Sequence, residues 1–98
     1  MTALNTVQRR YLRAQAHPLH PVVMIGDAGL SNTVMREIDL SLKAHELIKI
    51  RVLGDDRDAR IAMLERICAE LNAAAVQHIG KLLLVYRPAE KPKLSLPK

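Results

Sequence analysis

The chain contains no phenylalanine and no tryptophan, and only two tyrosines among its 98 residues. Its interior must be aliphatic, and the scarcity argues against recognition of nucleic acid by stacked aromatic rings, the device of RNP-type sheets and many OB-folds. Cys68 is the single cysteine, so no intrachain disulfide can form and a reducing compartment is expected. No apolar run approaches the ~18 residues of a membrane span, and no secretory leader pattern opens the chain. A cytoplasmic protein without a membrane partner is expected.

Residues that could carry catalysis or hold a metal are equally scarce. Cys68 has no base placed near it by the sequence and reads as a small buried hydrophobe rather than a nucleophile. His17 and His20 lie three apart but lack a cysteine or carboxylate at ligand spacing, so no metal is expected there. Asp55, Asp56 and Asp58 resemble the start of a calcium loop, yet the glycine and glutamate that such a loop needs further on are missing. Acids at a helix N-terminus explain them without an ion. No enzyme activity, cofactor or small-molecule substrate is expected.

What the chain does have is positive charge at its ends. The formal net charge is +5. Residues 1–20 carry Arg9, Arg10 and Arg13 without an acid, and residues 81–98 carry Lys81, Arg87, Lys91, Lys93 and Lys98 against Glu90, whereas residues 21–80 sum to −2. A polyanionic partner would explain this distribution if the two ends meet in space.

Periodicity gives the element order. Leu4, Val7, Tyr11 and Ala14 recur at helical spacing, which predicts a first helix from Asn5 or Thr6 to about Gln15 with Arg9 and Arg13 one turn apart. The two prolines of the 16–21 segment end it, and His17 is expected to hydrogen-bond within that turn. Val22 to Ile25 is wholly apolar, which predicts a short central strand covered on both faces. Residues 32–44 form a second helix with Val34, Met35, Ile38 and Leu42 inward and Arg36, Glu37, Asp39 and Lys43 in water. From Glu46 to Leu53 a strand alternates, with Ile48, Ile50 and Val52 on one side and Lys49 and Arg51 on the other as an exposed basic pair. A third helix to about Asn72 presents Ile61, Leu64, Ile67, Cys68 and Leu71. Strands over 74–79 and 81–87 follow, joined at Gly80. The sum is a single α/β domain, α-β-α-β-α-β-β, with a four-stranded mixed sheet and three helices. Its core spans about 5–87. The proline-containing basic tail, 88–98, is expected to lie extended on the surface or to move, with Leu94 and Leu96 able to tether it.

Between the first strand and the second helix lies Gly26-Asp27-Ala28-Gly29. Glycines at both ends of a tight turn permit positive φ and close approach of a partner to main chain, and Ser31-Asn32 would cap the helix behind it. Phosphate could sit at such a turn, its contacts coming from backbone because Asp27 is acidic. A Gly-x-x-Gly turn also arises for geometric reasons alone.

Three blocks in order, Ala16 to Leu30, His45 to Arg51 and Ile79 to Arg87, resemble the CRM domain (chloroplast RNA splicing and ribosome maturation), closest to its stand-alone bacterial YhbY-type members. The resemblance spans about residues 5–96. It implies an RNA-binding domain similar in fold to the C-terminal domain of translation initiation factor three, with a loop likened to that of KH domains and with bacterial members associated with large-subunit precursors. Carried onto this chain, it implies RNA contacts from Gly26, Asp27, Ala28 and Gly29 and from Arg9, Arg13, Lys49, Arg51 and Lys81. His20 stands where a lysine is common. The expected function is non-enzymatic RNA binding in assembly of the large ribosomal subunit, the partner being ribosomal RNA or a pre-ribosomal particle. The alternative is an adaptor whose basic surface docks an acidic protein.

Overall fold

Seven elements occur in the expected order: α1 (Thr6–Ala16), β1 (Val23–Ile25), α2 (Asn32–His45), β2 (Leu47–Val52), α3 (Arg57–Leu71), β3 (Ala74–Ile79) and β4 (Leu82–Tyr86). The computed structural model describes residues 3–98; residues 1 and 2 of the expected 1–98 domain lie outside the described residues. Each helix starts on a side-chain cap. Asn5 and Gln8 form a reciprocal capping box, Ser31 Oγ accepts from the Val34 amide at 3.2 Å, and Asp56 Oδ1 accepts from Ala59 at 3.0 Å. These bonds satisfy amides that the first turn leaves without partners.

The strands form one mixed sheet in the order β1-β2-β4-β3, with β1 parallel to β2 and the other pairs antiparallel. The expected central position of the first strand is therefore wrong: β1 is an edge. Val23 and Ile25 face the core, while Val22 and Met24 are 49% and 56% exposed. A short apolar run also results when one side of a strand packs inward and the other contributes to an apolar surface.

Two cores lie on the two sides of the sheet. On one, Val23, Ile25, Ile48, Ile50, Val52, Leu83 and Val85 meet Met35, Ile38 and Leu42 of α2 and Ile67 of α3. Leu64, Cys68 and Leu71 pack against this cluster as expected, and burial pushes the Cys68 thiol pKa up, which suits a packing role. On the other side, Leu47, Val76, Leu84 and Tyr86 are covered by Leu12 and Ala16 of α1, with Leu4, Tyr11, Leu94 and Leu96 packed at the margin. Of the apolar residues whose spacing predicts the first helix, Leu4 and Tyr11 pack at the margin while Val7 is half exposed and Ala14 exposed, and the adjacent row of Leu12 and Ala16 is the buried one. Leu12 and Ala16 repeat at i, i+4 as well, and Leu12 removes more apolar area from water than Ala14 could.

Two charged residues hold the layers together. Arg87 donates from Nη1 to Asp39 Oδ1 at 2.8 Å and to the Leu71 carbonyl at 2.9 Å, and from Nη2 to the Asp39 carbonyl at 3.1 Å. It ties α2 to the end of α3 and is not part of a free basic surface, and Asp39 is not a plain solvated residue. The Arg87 guanidinium holds the Asp39 carboxyl below the usual carboxylate range, with help from Lys43. Glu46, buried and at φ +65°, accepts from the backbone amides of Ala89 at 3.2 Å and Lys93 at 2.6 Å, and its carbonyl accepts from Arg87. The tail is therefore irregular, with bends at 90–91 and 93–94, and fastened at two kinds of anchor, this carboxylate and the Leu94/Leu96 pair.

The Asp39–Arg87 contribution is fully present above the ordinary aspartate pKa and is lost as pH falls through the depressed value. Asp39→Asn should lower neutral-pH stability by about 1 kcal/mol, the partly exposed end of the range for a charged hydrogen bond, with the difference from wild type closing as pH falls through the depressed Asp39 pKa in denaturant melts. Glu46→Ala should speed amide exchange at Ala89 and Lys93 by roughly fivefold, each bond contributing about 1 kcal/mol; unchanged protection would leave the leucines as the sole tether.

Candidate functional site

The turn at Gly26–Gly29 closes with the Gly29 amide on the Gly26 carbonyl at 3.0 Å. Of the two glycines that permit positive φ at this turn, Gly29 uses it, at +71°, and Gly26 does not. Neither glycine has a heavy atom within 4 Å of where a Cβ would stand, and Asp27 and Ala28 are exposed. The bend is therefore open to solvent, with the N-terminus of α2 behind it. From the α3 side Arg66, held by Glu70, reaches the Leu30 carbonyl at 3.4 Å. This cation beside the turn was not legible in the sequence, since 36 residues separate Arg66 from Leu30.

Strand register places the basic side chains relative to that turn. Across the sheet, Met24, Arg51, Leu82 and Ile79 stand opposite one another in a single row. Side chains directly opposed across strands share a face. The adjoining row on that face contains Lys49, Leu84 and Gln77. Helix α1 passes over this second row: Arg13, Ala16 and His17 line a groove of about 270 Å³ with Lys49, Gln77, Ile79, Leu82 and Leu84. Arg13 and Lys49, 36 positions apart, thus border one cleft. The His17 amide closes α1 by donating to the Arg13 and Ala14 carbonyls, as any helix C-cap does, while its side chain lines the groove. A second, more apolar hollow of about 360 Å³ lies beyond Lys49, between Leu19, His20, Val22, His45 and Leu94.

The remaining expected residues lie around this face. Arg51 is exposed, two residues from Lys49 toward the Gly26 turn. Lys81 sits in the β3–β4 turn at the same end of the sheet, where its carbonyl accepts from Val52; its ammonium pairs with exposed Asp55 at 3.1 Å. Such a pair contributes about 0–1 kcal/mol and opens readily. Arg9 is exposed on α1 one turn before Arg13 and does not line the groove. The tail packs through Leu94 and Leu96 against the same cluster as α1, which brings that stretch to the α1 side of the sheet, whereas Lys91 lines a hollow beside α2 with Leu42, Lys43 and Arg87.

A small α/β module with an open backbone turn and a cationic, half-covered sheet face is the class that this geometry defines. The chain belongs to the CRS1 / YhbY (CRM) domain family, whose model matches residues 4–87. It is 46% identical over 98 residues to an RNA-binding protein of Haemophilus influenzae, covering 100% of this chain and 99% of that one. It is 38% identical over 94 residues to a protein of Pseudomonas aeruginosa named a probable RNA-binding protein, covering 96% and 90%. The solution structure of a Staphylococcus aureus protein superposes with a TM-score of 0.84 at 34% identity, over 96% of this chain and 99% of that one.

The two glycines separate strain from access. Gly29→Ala should cost about 1–2 kcal/mol because a Cβ disfavours left-handed backbone, whereas Gly26→Ala, with open space and no positive φ, should unfold within about 0.5 kcal/mol of wild type. Equal losses in chemical denaturation would contradict this assignment.

Proposed function

We propose that this protein is a non-enzymatic RNA-binding protein of the cytoplasm that assists assembly of the large ribosomal subunit. The observation that carries the RNA reading is the meeting of Arg13 and Lys49 in one groove, continued by Arg51 toward the open turn at Gly26–Gly29. RNA-binding relatives that match nearly the whole chain support the same reading. The large-subunit role rests on the resemblance to the bacterial YhbY-type members.

In this mechanism the sugar-phosphate backbone approaches the Gly26-Asp27-Ala28-Gly29 turn, where main-chain N–H groups and the α2 N-terminus favour an anion. Asp27 points its charge to solvent, so the turn contributes through backbone. Arg13, Lys49 and Arg51 neutralise successive phosphates, Arg9 extends the footprint along α1, and Lys81 joins by exchanging Asp55 for phosphate. Contacts of this kind fix position more than sequence.

Salt titration with a single-stranded RNA tests the reading. Log affinity should fall by roughly 0.7 per neutralised phosphate for each tenfold rise in salt. Lys49→Glu with Arg51→Glu should weaken binding by more than about tenfold and reduce the slope by roughly 1.4, two phosphates' worth. No RNA affinity at low salt would favour a protein adaptor that uses the same surface for an acidic partner.

A further inference from the structure

Met24, Leu82 and Ile79 need an explanation that phosphate binding does not supply. They lie in one row with Arg51, on the part of the sheet face that α1 and the tail leave open, and Met24 and Ile79 are 56% and 52% exposed. Val22, 49% exposed, adjoins the row below, where its amide donates to the Lys49 carbonyl. Apolar side chains thus alternate with cations: Arg51 within the row, Lys49 and Arg13 on one flank, Lys81 and the Gly26–Gly29 turn on the other. The acids at this end are Asp27 and the Asp55, Asp56 and Asp58 group that opens α3; Lys81 pairs with Asp55, and Asp56 is engaged as the α3 cap. A purely apolar partner would leave Arg51 and Lys49 desolvated and unpaired, and a free phosphate would gain nothing from Met24 or Ile79. A nucleotide matches both halves, with a flat apolar base and an anion one bond system away.

Resting on the RNA reading above, we propose that this row is a platform for adjacent unpaired RNA bases. One base lies on the Met24 thioether and the Arg51 guanidinium plane with Leu82 beneath its edge, and the next lies on Ile79 at the far end of the row, three strand spacings or about 14 Å from Met24, while the adjoining phosphates reach the turn and the Arg13–Lys49 groove. An arginine plane and a polarisable thioether provide stacking surface in a chain almost without aromatics. RNA in duplex form cannot present a base this way, so the required ligand is a single strand, loop or bulge. The interaction is with the π-face and is tolerant of base identity.

The test compares an ordinary single-stranded RNA oligonucleotide with one of equal length and charge that carries abasic sites, against wild type and the Met24→Ala/Ile79→Ala double variant. Both substituted side chains are exposed on edge strands, so the variant should fold, as a thermal melt would verify. Wild type should bind the ordinary strand about tenfold more tightly than the abasic one, within the range known for base stacking. The double variant should lose that preference while retaining wild-type affinity for the abasic strand and an unchanged salt slope. Equal binding of both strands by wild type would overturn the platform and leave phosphate recognition standing. Wild-type affinity of the variant for the ordinary strand would also overturn it, assigning the row to a protein partner instead. Binding of neither strand would remove the RNA reading and the platform together.

Discussion

A four-stranded sheet has two faces to cover, and this chain covers them unequally. Helices α2 and α3 close one face, with Ile38, Leu42, Ile48, Ile50, Leu83 and Val85 almost wholly removed from water. A single helix and an irregular tail cover the other. Because α1 anchors through Leu12 and Ala16 on Leu47, Leu84 and Tyr86, the row at the opposite end stays open. That row adjoins the Gly26 turn, so the exposed surface and the open backbone turn occur together as a consequence of topology. The parallel β1–β2 pair needs a crossover helix, which places the turn and the α2 N-terminus at the C-terminal end of β1.

The same asymmetry sorts the cations into two kinds. Arg87 is consumed in holding α2 to α3, and Arg60 is buried with its Nε donating to His78 Nε2 at 3.2 Å. Their charges belong to the interior. Arg13, Lys49 and Arg51 come from elements that meet only in the folded chain, and among described residues they have no ion pair. Glu46 makes the sorting possible. Its buried carboxylate gathers the Ala89 and Lys93 amides, so the Leu94/Leu96 stretch returns to the side of the sheet that α1 occupies. The φ of +65° at this non-glycine residue is a strain that the surrounding bonds maintain.

Much of this was legible in the sequence because local pattern and tertiary role agree. The Ser31 cap of α2, the alternation Ile48-Lys49-Ile50-Arg51-Val52 and the glycine at the β3–β4 turn all act through near neighbours, and each appears where the spacing placed it. Features that depend on sequence-distant partners were not legible. The edge position of β1 is fixed by pairing with β2 alone, the α1 stripe by which of two adjacent helical rows the sheet selects, and Arg87 by Asp39 on another element. Of the candidate site, the turn and the strand pair follow from short motifs. The Arg13–Lys49 groove, Arg66 beside the turn and the Met24–Arg51–Leu82–Ile79 row require the register and helix packing.

The central claim is that main chain at the turn and cations from separate segments form one continuous surface for a ribonucleotide strand. Backbone NMR of the intact protein titrated with a short single-stranded RNA addresses it most directly. The account requires amide shifts confined to Gly26–Gly29, β1, Lys49 to Arg51 and the C-terminal half of α1, saturating together with one affinity. Shifts centred on the α2 and α3 surfaces around Arg36, Lys43 and Arg57, with the turn undisturbed, would contradict it.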